Sequence, residues 1–86
     1  MRSSATPEFW AAYALLTPEI RARARRAYRL WQRDPRHGSL RFKKIGDMWS
    51  IRIGRDYRVL AILEEGTFHW FWIGPHDEYE RILAGA

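Results

Sequence analysis

The clearest pattern in the chain is a period of two between residues 40 and 73. Trp49, Ile51 and Ile53 alternate with Ser50 and Arg52. Beyond Gly54-Arg55-Asp56, Tyr57, Val59 and Ala61 alternate with Arg58, Leu60 and Ile62. Alternation of this kind predicts two strands joined by a tight turn, with one face on a core and the other free. Gly54 and Asp56 supply the turn, because Gly tolerates φ > 0 and Asp bonds its own backbone. Upstream, Leu40-Arg41-Phe42-Lys43-Lys44-Ile45 reads as a short first strand, turned by Gly46-Asp47. Downstream, Glu64-Glu65-Gly66-Thr67 is a turn, and Phe68-His69-Trp70-Phe71-Trp72-Ile73 is a strand. The continuous apolar run of that last strand predicts a central place in the sheet.

The first third of the chain has the helical period instead. Thr6-Pro7-Glu8 and Thr17-Pro18-Glu19 are two copies of one start signal: a Thr N-cap, Pro at the first helical position and an acid in the first turn. The first helix carries Phe9, Trp10, Tyr13 and Leu16. The second runs to Asp34, where Pro35 stops it. Ile20, Ala24, Ala27, Tyr28 and Trp31 share one of its faces, while Arg25, Arg26, Arg29 and Arg33 crowd the other. The small Ala24 and Ala27 leave room for bulky sheet residues. Residues 1–6 are small and polar and are expected to fray, as are residues 84–86. After Gly74-Pro75, residues 76–83 read as a short helix with its acids early. The predicted order is helical hairpin, antiparallel strands, short terminal helix, an α+β domain spanning residues 1–86.

A chain of 86 residues buries only roughly 60–65% of the surface it exposes when unfolded. Five Trp, four Tyr and four Phe compensate for that small size. With no Cys, disulfides and thiolate metal sites are excluded. No apolar run approaches the ~20 residues of a membrane span, and no basic-then-apolar leader is present, so a soluble cytoplasmic protein is expected.

Charge changes the picture further. Residues 1–58 hold fourteen Lys/Arg against five Asp/Glu, a net of +9; residues 59–86 hold Arg81 against five acids, a net of −4. A basic front with an acidic tail fits a polyanionic partner, or simple solubility. Arg52, Arg55 and Arg58 sit together on the central hairpin and repel one another unless an anion lies nearby.

The candidate chemistry follows from what is missing. There is no nucleophile motif and no phosphate loop, and His37, His69 and His76 lack ligand-like spacing, so no metal and no cofactor is expected. What remains is a cation set, Arg41, Lys43, Lys44, Arg52, Arg55 and Arg58, followed by His76 and Tyr79. Such a set suits phosphodiester chemistry on RNA, where the 2′-OH is itself the nucleophile. The protein then positions the backbone, neutralises the phosphorane and moves protons. Plainer roles stay open: Arg58 pairing with Asp56 or Glu64, Lys43 and Lys44 as edge charges against aggregation, and Tyr57 and Tyr79 as core aromatics.

Three stretches together resemble the RelE/ParE superfamily of bacterial type II toxins. They are Leu40-Arg41-Phe42-Lys43-Lys44, then Trp49 to Leu60 with its Tyr57-Arg58-Val59 element, and Trp70-Phe71-Trp72-Ile73-Gly74-Pro75-His76-Asp77-Glu78-Tyr79. The resemblance covers residues 7–83. It implies a helical hairpin packed on an antiparallel sheet, with a concave cationic site. For the RelE branch it implies mRNA cleavage in the ribosome by 2′-OH attack. Arg58 would then stabilise the phosphorane with Arg52 beside it, and His76 and Tyr79 would lie at the proton-transfer positions. Lys43, Lys44, Arg41 and Arg55 would hold RNA, and the partners would be an antitoxin, the ribosome and mRNA. The ParE branch, which poisons DNA gyrase, shares the fold without a nuclease site; there Trp70, Trp72 and the terminal helix are candidate protein-binding features. A relative that only binds an antitoxin is the third reading. Three departures from the pattern stand out. The chain opens directly with Thr6-Pro7 and a helix where the family usually opens with a strand, so the sheet is expected to lack an edge; Ser50 stands where a second basic residue is frequent, leaving the general base unassigned; and His76 stands where Arg is common.

Overall fold

The computed structural model describes residues 1–85. The order is β1 (Arg2–Ala5), α1 (Pro7–Ala14), α2 (Pro18–Arg33), a 3-10 turn (Gly38–Leu40), β2 (Lys43–Ile45), β3 (Met48–Ile53), β4 (Tyr57–Glu64), β5 (Thr67–Pro75) and α3 (His76–Gly85). Both helix starts form as their sequence dictates. The Thr6 hydroxyl accepts from Phe9 N–H at 3.2 Å and the Thr17 hydroxyl from Ile20 N–H at 3.3 Å, each followed by Pro at N1.

The five strands form one sheet in the order β1-β5-β4-β3-β2. The β2–β3, β3–β4 and β4–β5 pairs are antiparallel, and β5 has neighbours on both sides as its apolar run predicts. Two expectations are corrected here. Residues 2–5 do not fray: they form β1, which pairs in parallel with β5 from Arg2↔Thr67 to Ala5↔Trp70, so the sheet is mixed rather than antiparallel. The cause lies outside the segment. The far edge of β5 offers unpaired N–H and C=O groups, and β1 satisfies them; Ser3 bonds Tyr28, and Ser4 Oγ lies 2.8 Å from His69 Nδ1. At the other end, Ala84 and Gly85 continue α3; the expectation of fraying at Ala86 lies outside the described residues.

The first predicted strand is also shorter than expected. The His37 ring accepts from Ser39 N–H at 3.2 Å and starts the 3-10 turn, and Arg41 follows in the left-handed region at φ 45°. Only from Lys43 does the chain extend.

The core lies between the helical hairpin and one sheet face. Trp31, 0% exposed, is its hub, with ring centroids 5.1 Å from Trp70, 5.4 Å from Phe68 and 5.8 Å from Phe42, all edge-to-face. Ala24, Leu40, Ile51, Ile53, Val59, Ala61 and Ile73 complete the buried cluster. A register shift at Leu60/Ala61 lets the β5 residues Phe68, Trp70 and Ile73 share this face despite the odd spacing between the last two. Trp70, a candidate docking residue on sequence grounds, is therefore core, 4% exposed.

The opposite face carries Ser50, Leu60 and Trp72 in one cross-strand row and Arg52, Arg58 and Gly74 in the next. Ser50, Leu60 and Gly74 are buried. α3 packs on β4 and β5 and brings the buried Tyr79 with it.

Candidate functional site

The β3–β4 hairpin places Arg52 directly opposite Arg58. Directly opposed residues have Cβ atoms only ~4.5–5.5 Å apart, so the two guanidinium stems leave the sheet side by side. Their tips turn back on the connecting loop. Arg52 Nε donates to Gly54 O at 2.7 Å, and Arg58 NH1 donates to Tyr57 O at 2.8 Å and to Arg55 O at 3.1 Å. The loop is held from a third side by His76 N–H, which donates to Asp56 O at 2.7 Å. Hairpin and α3 are thus tied together where the cations converge.

Arg58 rests against Tyr79, its Cζ 5.8 Å from the ring centroid. Its pKa is lowered from the ordinary arginine value. Burial is the leading cause, followed by the Arg52 charge; Arg41 acts in the same direction, while Tyr79 and Asp56 act against it. Among the described residues the close cation–carboxylate contacts are Arg23–Glu19 and His76–Glu80, so neither Asp56 nor Glu64 pairs directly with Arg58. The plain pairing reading of this arginine fails on geometry.

His76 opens α3. Its Nε2 lies 3.0 Å from Glu80 Oε1, one helical turn on, and its ring lies 5.8 Å from that of Tyr79. Trp72 lies over Gly74: a Cβ on Gly74 would sit 2.5 Å from Trp72 Cζ2. Only a glycine therefore leaves space for the indole beside the Arg58 row.

The predicted residues sort by register. Arg52, Arg58, His76 and Tyr79 come together. Lys43 pairs with Ser50 and shares their side of the sheet, whereas Lys44 pairs with Trp49 and lies on the other side. Arg55 is exposed in the loop. Arg41 lines an adjoining cleft of about 480 Å³ with Arg23, Arg26 and Arg52. One neighbour escaped the sequence reading: Glu80, signalled by its i,i+4 spacing from His76. Trp72, named on sequence grounds only as a candidate docking residue, lies beside the arginine row.

This is a small basic α+β domain with an unneutralised arginine pair beside a His–carboxylate pair. Its relatives define the class. A family model described as the ParE-like toxin domain matches residues 18–81, and the chain belongs to that family, within the RelE/ParE superfamily of toxin–antitoxin toxins. No curated protein matches the sequence at significance. Among solved structures, the RelB–RelE antitoxin–toxin complex from Methanococcus jannaschii aligns at a TM-score of 0.71 with 17% identity, covering 91% of this chain and 95% of that one. YafQ from E. coli strain BL21(DE3) aligns at 0.73 with 9% identity, covering 92% and 98%. The YoeB/ParE toxin from Agrobacterium tumefaciens aligns at 0.68 with 18% identity, covering 88% and 99%. At these identities the likeness is one of fold.

Proposed function

We propose that the protein is a toxin that cleaves mRNA on the ribosome. The observation that carries the reading is the Arg52–Arg58 pair, unneutralised by any carboxylate, next to the His76–Glu80 pair. In this reaction the 2′-oxygen attacks the adjacent phosphorus and the P–O5′ bond breaks. The products are a 2′,3′-cyclic phosphate and a 5′-hydroxyl. Arg58 meets the charge that develops on the phosphorane, a role worth ~10²–10³ in rate by analogy with other oxyanion donors. Arg52 supports it. His76 handles a proton at the entering or leaving oxygen, its ring oriented by Glu80. Tyr79 acts chiefly by holding Arg58 in place, since it is buried under that side chain.

An antitoxin is the expected partner, as in the antitoxin–toxin complexes that share this fold. An apolar groove of about 500 Å³ between α1, α2 and the sheet, with Arg25 and Arg29 among its lining residues, suits an amphipathic acidic segment. Induction in cells with mapping of mRNA 5′ ends tests the activity. Codon-phased cuts that vanish with Arg58→Ala are expected; growth arrest with intact mRNA would overturn it.

The ParE-like description of the matching family model favours a second reading, a non-nuclease toxin acting on DNA gyrase. Gyrase-linked DNA damage, and toxicity that survives a combined Arg58→Ala and Tyr79→Ala change, would select it. Normal growth on overexpression would instead mark a relative that only binds an antitoxin.

A further inference from the structure

Of the residues lining the cleft between α2, the 3-10 turn and the β3–β4 loop, only Arg52 takes part in the chemistry above. It measures about 480 Å³, within the usual range of a small-ligand site. Its polar lining is cationic: Arg23, Arg26, Arg41 and Arg52, with no acid. Arg23 is engaged by Glu19 at 3.0 Å, but Arg26 and Arg41 form no ion pair among the described residues. Arg52 uses Nε on Gly54 O, which leaves its terminal nitrogens for a ligand. Ser39 and the half-buried Leu30 also line it, while Leu40 and Ile53 form its floor from within the buried core.

Two further facts point to a ligand rather than a solvated surface. Arg41 is held at φ 45°, a conformation that favours glycine. Arg52 is shared: it lines the cleft and stands opposite Arg58 on the hairpin. One side chain thus links the cleft to the arginine pair.

We propose that this cleft receives the nucleotide of single-stranded RNA next to the scissile bond, its phosphate on Arg26, Arg41 and Arg52 and its base against the half-buried Leu30. The inference rests on the ribonuclease reading and extends it to a flanking subsite. Phosphate on guanidinium with a base laid on an apolar or planar surface is how single strands are held without base-edge readout. A bare anion would leave the apolar part of the cleft unused. An acidic peptide would meet the cations but has no planar group for that surface.

The test is a titration of the full chain with a 2′-O-methyl trinucleotide, which lacks the nucleophile and is not cut. The amide signals of Gly38, Ser39 and Gly54 are followed, with inorganic phosphate and a hexaglutamate peptide as parallel probes. The trinucleotide should move all three signals and bind at least about tenfold more tightly than phosphate. Arg26→Ala and Arg41→Gly should each weaken it about tenfold while keeping a dispersed amide spectrum, the second because glycine suits a positive φ. Arg58→Ala should abolish cleavage yet leave these signals responsive. Signals that stay still, or an affinity unchanged in both cleft variants, would overturn the subsite alone. Equal binding of phosphate would reduce it to an anion site, and tighter binding of hexaglutamate would assign it to a protein partner; either overturns the proposal. Cleavage surviving Arg58→Ala would instead count against the catalytic reading, whatever the cleft signals do.

Discussion

Arg52 and Arg58 face each other across the β3–β4 hairpin, and no carboxylate among the described residues pairs with either. Each occupies part of its guanidinium with carbonyls of the loop between them. The pair is thus fixed in place while its mutual repulsion is only partly offset, by Tyr79 and Asp56, a state that an anion relieves further.

The first prediction concerns that repulsion. Added inorganic phosphate should raise the melting temperature of the native chain, because a ligand that binds only the folded state stabilises it by mass action. Arg52→Ala and Arg58→Ala should each reduce the increment by at least half, measured by thermal denaturation against phosphate concentration. Changing pH should not substitute for the anion. The folded-state pKa of Arg58 is depressed, so the folded state binds its proton less readily than the unfolded one. The resulting penalty is present throughout neutral pH and eases only as pH climbs through that lowered value, at the alkaline extreme.

A second prediction isolates Gly74. Gly74→Ala places a Cβ 2.5 Å from Trp72 Cζ2, so the indole must leave its position beside the arginine row. Overpacking of this kind costs about 1–3 kcal/mol. Trp72→Ala also destabilises the fold, but in its background Gly74→Ala should be nearly neutral. Urea denaturation of the four proteins in this cycle measures the coupling; additive effects would show that the indole is not what excludes the side chain.

How much of this could be read from the sequence depends on whether the cause was local. Thr6-Pro7 and Thr17-Pro18 start helices through their own side chains, and both were legible. So was the alternation across Gly54-Arg55-Asp56, which set Arg52 and Arg58 on one side. The segment Arg2-Ser3-Ser4-Ala5 has no hydrophobic period, and its strand exists because β5 has a free edge, a fact of tertiary structure. The register shift at Leu60/Ala61 was equally hidden within an unbroken apolar run. It sends Trp70 into the core and Trp72 to the site. The burial of Tyr79 depends on where α3 docks, which has no signature in its own residues, and the left-handed cap at Arg41 falls on a residue type that does not announce it.

The hidden strand gives a third prediction. Deleting residues 1–5 removes the β1–β5 ladder and the hydrogen bonds of Ser3 with Tyr28 and Ser4 with His69. It also exposes the long edge of β5, which carries Phe68, Trp70 and Ile73. Unprotected edges of that kind template association. The truncated chain should melt at least about 5 °C lower, a shift corresponding to roughly 1 kcal/mol in a domain of this size. It should also aggregate at concentrations where the full chain stays monodisperse, as followed by light scattering.

The last prediction uses register to separate two adjacent lysines. Lys43 pairs with Ser50, which shares its side of the sheet with Arg52 and Arg58; Lys44 pairs with Trp49 and lies on the other side. Both are exposed, so neither change should disturb the fold. If RNA runs along the arginine side, Lys43 neutralises a phosphate and Lys44 does so less. For a single strand, each phosphate left without its cation lowers the slope of log affinity against log salt by about 0.7. Lys43→Ala should show that decrement with a 2′-O-methyl oligonucleotide, and Lys44→Ala a smaller one. Equal decrements would mean that the strand does not follow the face defined by Ser50, Arg52 and Arg58, and the path of RNA across the sheet would have to be redrawn through the exposed edge of β2.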